Sequence, residues 1–93
     1  MNIIHTQHLK DMLKERRFPY SYPKRIYLEA EEKYIDRSTK SFIAIKKLPH
    51  KNKMRKIVIA YVIENENVKI LTIYAEKDKD ITKRVINGRW IKI

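Results

Sequence analysis

Two long apolar segments constrain the fold more than any other feature of the chain. Residues 55–63 read RKIVIAYVI and residues 68–75 read VKILTIYA, with the turn-like ENEN between them. Both are rich in β-branched residues and apolar on consecutive positions, which is typical of strands inside a sheet that is covered on both faces. The sequence therefore predicts two neighbouring central strands with a cover on each side.

The N-terminal part of the chain predicts one of these covers. Thr6 is a suitable N-cap, and Leu9, Met12 and Leu13 follow with helical spacing, so we expect an amphipathic helix over residues 6–17. Pro19 and the proline at position 23 then favour an extended or turning connection. A single short helix covers only one face, so the second cover must come from the C-terminal segment, the proline-containing loop or a partner.

The remaining segments predict a hairpin and a C-terminal unit. Residues 26–35 fit both helix and strand, and we prefer strand; with a turn at 36–40 and a strand at 41–48 they form a hairpin, followed by a second turn at 49–53. Asp80 is expected to cap a short helix over residues 81–87 that ends at Gly88, the only glycine of the chain, before a last edge strand at 89–93. The predicted fold class is α+β: an N-terminal helix packed on a four-stranded, mainly antiparallel sheet, with a short C-terminal helix and an edge strand. Ninety-three residues support one such domain.

The charge of the chain is strongly positive and unevenly distributed. The formal net charge is +11, and residues 47–56 contain five basic and no acidic residues, whereas residues 26–46 are neutral overall. Concentrated positive charge is the electrostatic signature of nucleic-acid binding, or less often of an anionic membrane or an acidic protein partner. A lysine-rich surface that serves only solubility or heat resistance is the alternative.

Several function classes are disfavoured by what the sequence lacks. Without cysteine there is no thiolate nucleophile or cysteine-based metal site, and one glycine leaves no glycine-rich phosphate loop. His5 and His8 are spaced as half of a metal site but lack a third ligand, so we expect no metal and no cofactor. The longest apolar run is far shorter than the ~20 residues of a membrane helix, and the N-terminal residues do not resemble a signal peptide. We expect a cytoplasmic protein that does not enter a membrane.

The residues that remain suit metal-free RNA cleavage. A general base removes the 2′-hydroxyl proton, an acid protonates the leaving 5′-oxygen, and fixed cations stabilise the charge on phosphorus. His5 or His8 suits the base or acid, and arginines suit the phosphate. Side chains suited to stacking on unpaired bases are Tyr20, Tyr22, Tyr61, Tyr74 and Trp90.

The order of these motifs resembles a known superfold. It comprises the helix HTQHLKDMLKERR, the segment from Pro23 to Asp36 with its P-x-x-I-Y pattern, the strands MRKIVIAYVI and VKILTIY, and the ending TKRVINGRW. This arrangement is similar to that of small proteins of the barnase, EndoU, colicin D and RelE superfold, especially the DUF4258-like and RelE/ParE-like members.

The resemblance implies a metal-independent endoribonuclease of the toxin type, cleaving by 2′-hydroxyl attack, in a single RelE-like domain. It places five catalytic groups around one phosphate: His5, His8, Arg55, Thr72 and Arg84. The expected substrate-binding residues are Lys47, His50, Lys53, Arg89 and Trp90. The expected partners are RNA, an antitoxin protein and the ribosome. The alternatives are a non-catalytic nucleic-acid-binding module and a ParE-like toxin that binds a protein.

Overall fold

The computed structural model describes residues 2–93, which form three helices and one six-stranded mixed sheet. The elements in chain order are β1 (Asn2–Ile4), α1 (Gln7–Glu15), α2 (Tyr22–Glu29), β2 (Glu32–Asp36), β3 (Ser41–His50), β4 (Lys53–Glu64), β5 (Asn67–Glu76), α3 (Asp78–Ile86) and β6 (Trp90–Lys92). The strand order across the sheet is β1-β5-β4-β3-β2-β6. β1 runs parallel to β5, and every other neighbouring pair is antiparallel. The α+β class is confirmed, but the sheet has six strands rather than four, because β1 was not predicted and the predicted edge strand, β6, belongs to the same sheet.

Both faces of the sheet are covered, as the apolar runs predict. Consecutive residues of β4 alternate between two cores: Ile57 and Ile59 pack with α1 and α2, whereas Val58 and Ala60 pack with α3. We call these sides the α1–α2 face and the α3 face. The second core also contains Trp90, so the C-terminal segment provides the second cover. Burial on two sides removes far more apolar surface from water than one helix alone would.

The first helix forms where the sequence predicts it. Thr6 is the N-cap of α1, and its Oγ1 accepts a hydrogen bond from the backbone N–H of Leu9 at 3.1 Å. Leu9, Met12 and Leu13 are buried against the sheet. The predicted cap and apolar stripe are confirmed.

The expectation of a strand over residues 26–35 is wrong for most of that segment. α2 occupies residues 22–29, and only residues 32–36 form a strand, which pairs with β3. Pro23 does not prevent the helix because it lies in the first turn, where its missing N–H would have had no partner within the helix. Ile26, on the buried side of α2, is completely buried in the core between the helices and the sheet. This packing outweighs the β propensity of the segment.

The second turn, the C-terminal helix and the last strand form close to their predicted positions. The predicted turn at 49–53 contracts to Lys51 and Asn52, both with positive φ, which is the two-residue type I′ hairpin turn. α3 begins two residues before the predicted Asp80 cap, with Lys77 as N-cap. Gly88 has φ +81 directly after the C-cap of α3, as predicted, and the edge strand β6 pairs with β2.

Candidate nucleic-acid interface

The end of the β3–β4 hairpin carries a groove lined by basic side chains. This groove has a volume of about 480 Å³, and its polar lining includes Arg17, His50, Lys51 and Lys53 but no acidic residue. None of its lysines or arginines forms an ion pair with any carboxylate of residues 2–93. The loop after α1 brings in Arg17, and the tight turn presents Lys51 and Lys53 close together. We call this feature the hairpin groove.

A second groove, of about 610 Å³, lies between the start of β4 and the start of α3. It shares Lys53 with the hairpin groove and adds Lys47 and Arg55, but its lining also includes three acidic residues. Lys56 Nζ lies 2.8 Å from Asp78 Oδ1 and 2.8 Å from a Glu32 carboxylate oxygen. These contacts raise the pKa of Lys56, and the hydrogen bond from Lys56 lowers the pKa of Asp78. Much of the charge in this second groove is therefore balanced within the protein.

His50 forms one wall of the hairpin groove and is fixed from two directions. Its ring stacks on Phe18 with centroids 4.4 Å apart, and Nε2 lies 3.1 Å from the backbone oxygen of Arg16. Nδ1 is buried and has no hydrogen-bond partner among residues 2–93. In the neutral tautomer that donates Nε2–H to the Arg16 carbonyl, Nδ1 is the basic nitrogen.

Arg55 lies on the same face as His50. Register pairs Leu48 with Arg55 and His50 with Lys53, so the side chains of His50 and Arg55 are diagonal neighbours on adjacent strands. The Arg55 Nε atom is buried and has no partner in the described part of the chain. Two of the three side chains with a buried, unpaired nitrogen in residues 2–93 are thus adjacent at the β3–β4 end of the sheet.

The two histidines predicted to act in catalysis lie in different surroundings. The His5 ring stacks on Tyr20, with centroids 4.5 Å apart and an interplanar angle of 14°, and its Nε2 is buried with no hydrogen-bond partner in residues 2–93. His8 lies on the exposed side of α1. Its side chain makes no hydrogen bond or ring contact with another of the described residues. Of the two, only His5 is held in a defined position by a neighbouring side chain.

Thr72 is connected to the helical side through a residue that sequence reasoning missed. Its hydroxyl donates to Met12 Sδ at 3.4 Å and accepts a contact of 3.5 Å from Arg16 Nη1. The same Arg16 nitrogen donates to the backbone oxygen of Ile73 at 2.7 Å, while the Arg16 carbonyl contacts His50. Arg16 therefore links β5 to the hairpin groove. The only sequence signal was the pair of arginines directly before the turn at Phe18.

The other predicted arginines lie on the α3 face and are paired with carboxylates. Arg84 forms an ion pair with Glu76, and its guanidinium lies 4.9 Å from the Trp90 ring centroid. Arg89 Nη2 lies 3.3 Å from Asp36 Oδ2. Trp90 is only 1% exposed, and its indole N–H donates to the same carboxylate at 3.1 Å. These residues hold the C-terminal segment on the sheet.

The ten predicted site residues thus divide between the two faces. Those on the α1–α2 face, at or near the helices, are His5, His8, His50, Lys53, Arg55 and Thr72; those on the α3 face are Lys47, Arg84, Arg89 and Trp90. The sheet lies between the two groups, so the five expected catalytic side chains do not surround one phosphate in this conformation.

Comparisons of the chain with protein-family models, with curated proteins and with solved structures find no match. Within residues 2–93 no group of three or more histidine, aspartate or glutamate residues is arranged to hold a metal ion. None of the helices described is long and apolar enough to cross a membrane.

Proposed function

We propose that the protein binds RNA through the hairpin groove. The observation that carries the proposal is a concave surface lined by Arg17, Lys51 and Lys53, with no acidic residue in its lining and no ion pair to these cations from residues 2–93. When such cations neutralise RNA phosphates, the counterions condensed on the RNA are released, which favours binding at low salt. RNA is preferred to DNA in this proposal because of the resemblance to the RelE superfold.

The catalytic extension of the proposal is a metal-independent endoribonuclease of the toxin type, with RNA on the ribosome as a substrate and an antitoxin as its regulator. His50 and Arg55 are its best-placed groups because they are neighbours beside the groove. The base would take the 2′-hydroxyl proton, O2′ would attack phosphorus, and the 5′-oxygen would leave with a proton from the acid. Both His50 Nδ1 and His5 Nε2 are covered by protein, so either ring must rotate to act. Binding requires no such movement, and it is therefore the primary proposal.

A matched pair of variants tests the binding. The double variant Arg17→Gln/Lys53→Gln removes two charges from the hairpin groove, and Lys33→Gln/Lys83→Gln removes two from exposed positions outside it. Fluorescence anisotropy with a labelled single-stranded RNA, in EDTA and over a range of salt concentrations, gives the slope of log affinity against log salt. We expect the groove variant to reduce the magnitude of this slope by about 1.4, and the control to change it much less. Equal effects of the two variants would show that binding is diffuse.

Cleavage is tested separately from binding. Labelled RNA incubated with the protein in EDTA is expected to yield products with 2′,3′-cyclic phosphate ends, and His50→Ala and Arg55→Ala are expected to abolish them while changing affinity less. If the RNA stays intact at several pH values, both free and on ribosomes, the catalytic proposal is wrong. The binding proposal is not affected by that result.

A protein-binding role is the second candidate, favoured by an apolar row at the β6 edge of the sheet. Ile91 pairs with Ile35, and Ile35 with Phe42, so the three side chains lie side by side across β6, β2 and β3. Ile35 is 37% exposed, Ile91 45% and the adjacent Ile93 56%. α2 contacts β3 and β4 but leaves this edge open. Calorimetric titration with the product of an adjacent gene, comparing the wild type with Ile91→Asp, tests the candidate; heat that Ile91→Asp does not change would count against this surface.

A further inference from the structure

The aromatic side chains predicted to stack on bases differ in how far they are exposed to solvent. Tyr22 is 6% exposed, Tyr61 5% and Trp90 1%, because all three belong to the cores. Tyr74 is partly buried against the second core and receives a hydrogen bond from Arg84. Tyr20 is 59% exposed. Of the five, it is the one whose ring is largely open to solvent.

The position of Tyr20 connects it to the hairpin groove. The residue before it, Pro19, lines that groove together with Arg17 and His50. The fixed φ of Pro19 restricts the backbone at this point, and Ser21 directly after Tyr20 is the N-cap of α2. Tyr20 therefore directly follows a residue that lines the hairpin groove, in a short loop whose backbone is restricted.

The ring of Tyr20 is also held in orientation. One of its faces stacks almost parallel on the His5 imidazole, which is itself partly buried. With that face covered, the exposed area of the ring includes its opposite face. A planar group arriving from solvent meets a ring that is already positioned, so less side-chain entropy is lost on binding.

We infer that Tyr20 is a stacking platform for an unpaired base, and that the ligand of the hairpin groove is therefore single-stranded RNA. The inference rests on the proposed function, because the groove cations must hold the phosphates next to the base. A base in a duplex has both faces occupied by its neighbours, whereas an unpaired base offers a face to an aromatic ring. Every base has such a face, so the platform selects strandedness more than sequence.

Three ligands of equal length test the inference. They are oligouridylate, a ribose-phosphate oligomer that lacks bases, and an RNA duplex; their affinities are measured for the wild type, Tyr20→Ala and Tyr20→Phe. We expect the wild type to bind oligouridylate about 5- to 150-fold more tightly than the base-free oligomer. Tyr20→Ala should reduce this ratio to near one while leaving the affinity for the base-free oligomer unchanged. Tyr20→Phe should retain the ratio because the ring is kept.

The failures of the two proposals are distinguishable. Absence of salt-dependent binding to all three ligands overturns RNA binding itself. Salt-dependent binding whose ratio is unchanged in Tyr20→Ala overturns the platform alone. Equal weakening of both single-stranded ligands in Tyr20→Ala also overturns it, because a loop that has lost its packing acts on phosphates and bases alike; circular dichroism and the melting temperature of each variant identify that case.

Discussion

The carboxylate of Asp36 is the clearest single point at which the C-terminal segment is attached, and its removal has a calculable cost. Asp36 is 3% exposed and accepts hydrogen bonds from the Trp90 indole N–H at 3.1 Å and from the Ser38 backbone N–H at 2.9 Å. It also accepts from the Thr39 N–H and pairs with Arg89. One buried side chain therefore connects the β2–β3 turn to β6.

In Asp36→Ala, the Trp90 indole N–H is left buried without a partner, which costs about 1 to 3 kcal/mol. The Arg89 side chain is 43% exposed, so its lost ion pair adds less than about 1 kcal/mol. The turn amides lie in an exposed segment and can bind water instead. We expect a total loss of about 1 to 4 kcal/mol in the free energy of unfolding, which corresponds to a fall in melting temperature of about 4 to 8 °C per kcal/mol for a domain of this size.

Urea unfolding followed by circular dichroism measures this loss, and a double-mutant cycle assigns it. Trp90→Phe removes the indole donor, so the double variant should recover at least about 1 kcal/mol relative to the sum of the single changes. Glu15→Gln, an exposed residue, serves as the control and should change stability by less than about 0.5 kcal/mol. A cost below 1 kcal/mol for Asp36→Ala, or a coupling of zero, would refute the reasoning.

The same carboxylate predicts a pH dependence. Burial raises the pKa of Asp36, but hydrogen bonds from Arg89, Thr39, Trp90 and Ser38 together outweigh burial and hold the pKa below its ordinary value. The folded protein thus favours the ionised form, and this contribution is present above the unfolded pKa of about 3.9. It is lost as the pH falls through the lower folded pKa. The difference in stability between wild type and Asp36→Ala should therefore shrink below about pH 4.

Three further substitutions test local features by urea or thermal unfolding. Gly88→Ala places a Cβ where no atom lies within 4 Å, so only the positive φ opposes it, and we expect a loss of about 1 kcal/mol; a loss above 3 kcal/mol would indicate a hidden contact. Glu66→Gly relieves a residue with φ +64 in the β4–β5 turn and should stabilise the protein by about 0.5 to 1 kcal/mol, whereas a destabilised variant would contradict the strain argument. Thr6→Ala removes the N-cap acceptor of α1 and should cost about 0.5 to 2 kcal/mol, with Thr6→Ser as the matched control that keeps the hydroxyl.

Local patterns predicted the elements whose signals are local. The two apolar runs, the Thr6 cap and Gly88 each carry a physical requirement that three to nine consecutive residues can express. α2 escaped prediction because Pro23 opposes a helix and Ile26 and the two tyrosines of this segment favour a strand, while the burial of Ile26 that favours the helix is a tertiary effect. β1 has three residues and a parallel partner more than sixty positions away, so nothing near it in the chain indicates a strand.

The sequence predicted where along the chain the candidate site lies, but not which face of the sheet each of its residues occupies. The cluster of basic residues at 47–56 does contain two of the groove cations. Which side of the sheet a residue occupies depends on the strand register and on the carboxylates that meet it there. In the sequence, Arg84 and Arg89 look like free phosphate ligands. In the fold, they form ion pairs with Glu76 and Asp36. Arg16 stood out only as one of two adjacent arginines, although its guanidinium contacts β5 and its carbonyl contacts His50.

The parallel pairing of β1 with β5 has a consequence for the order of folding. Asn2 is in register with Asn67, and Ile4 with Lys69, so β1 leaves the ribosome long before its partner exists. Synthesis proceeds at about 5 to 20 residues per second, so β1 and the apolar stripe of α1 wait several seconds for the strands they pack on. The β4–β5 hairpin closes through a turn of two residues and can form locally, whereas docking β1 closes a loop of more than sixty and is entropically slower. β1 is thus synthesised early but joins the sheet late. We expect folding to begin with the β4–β5 hairpin in the middle of the chain and to continue towards the N-terminal strand.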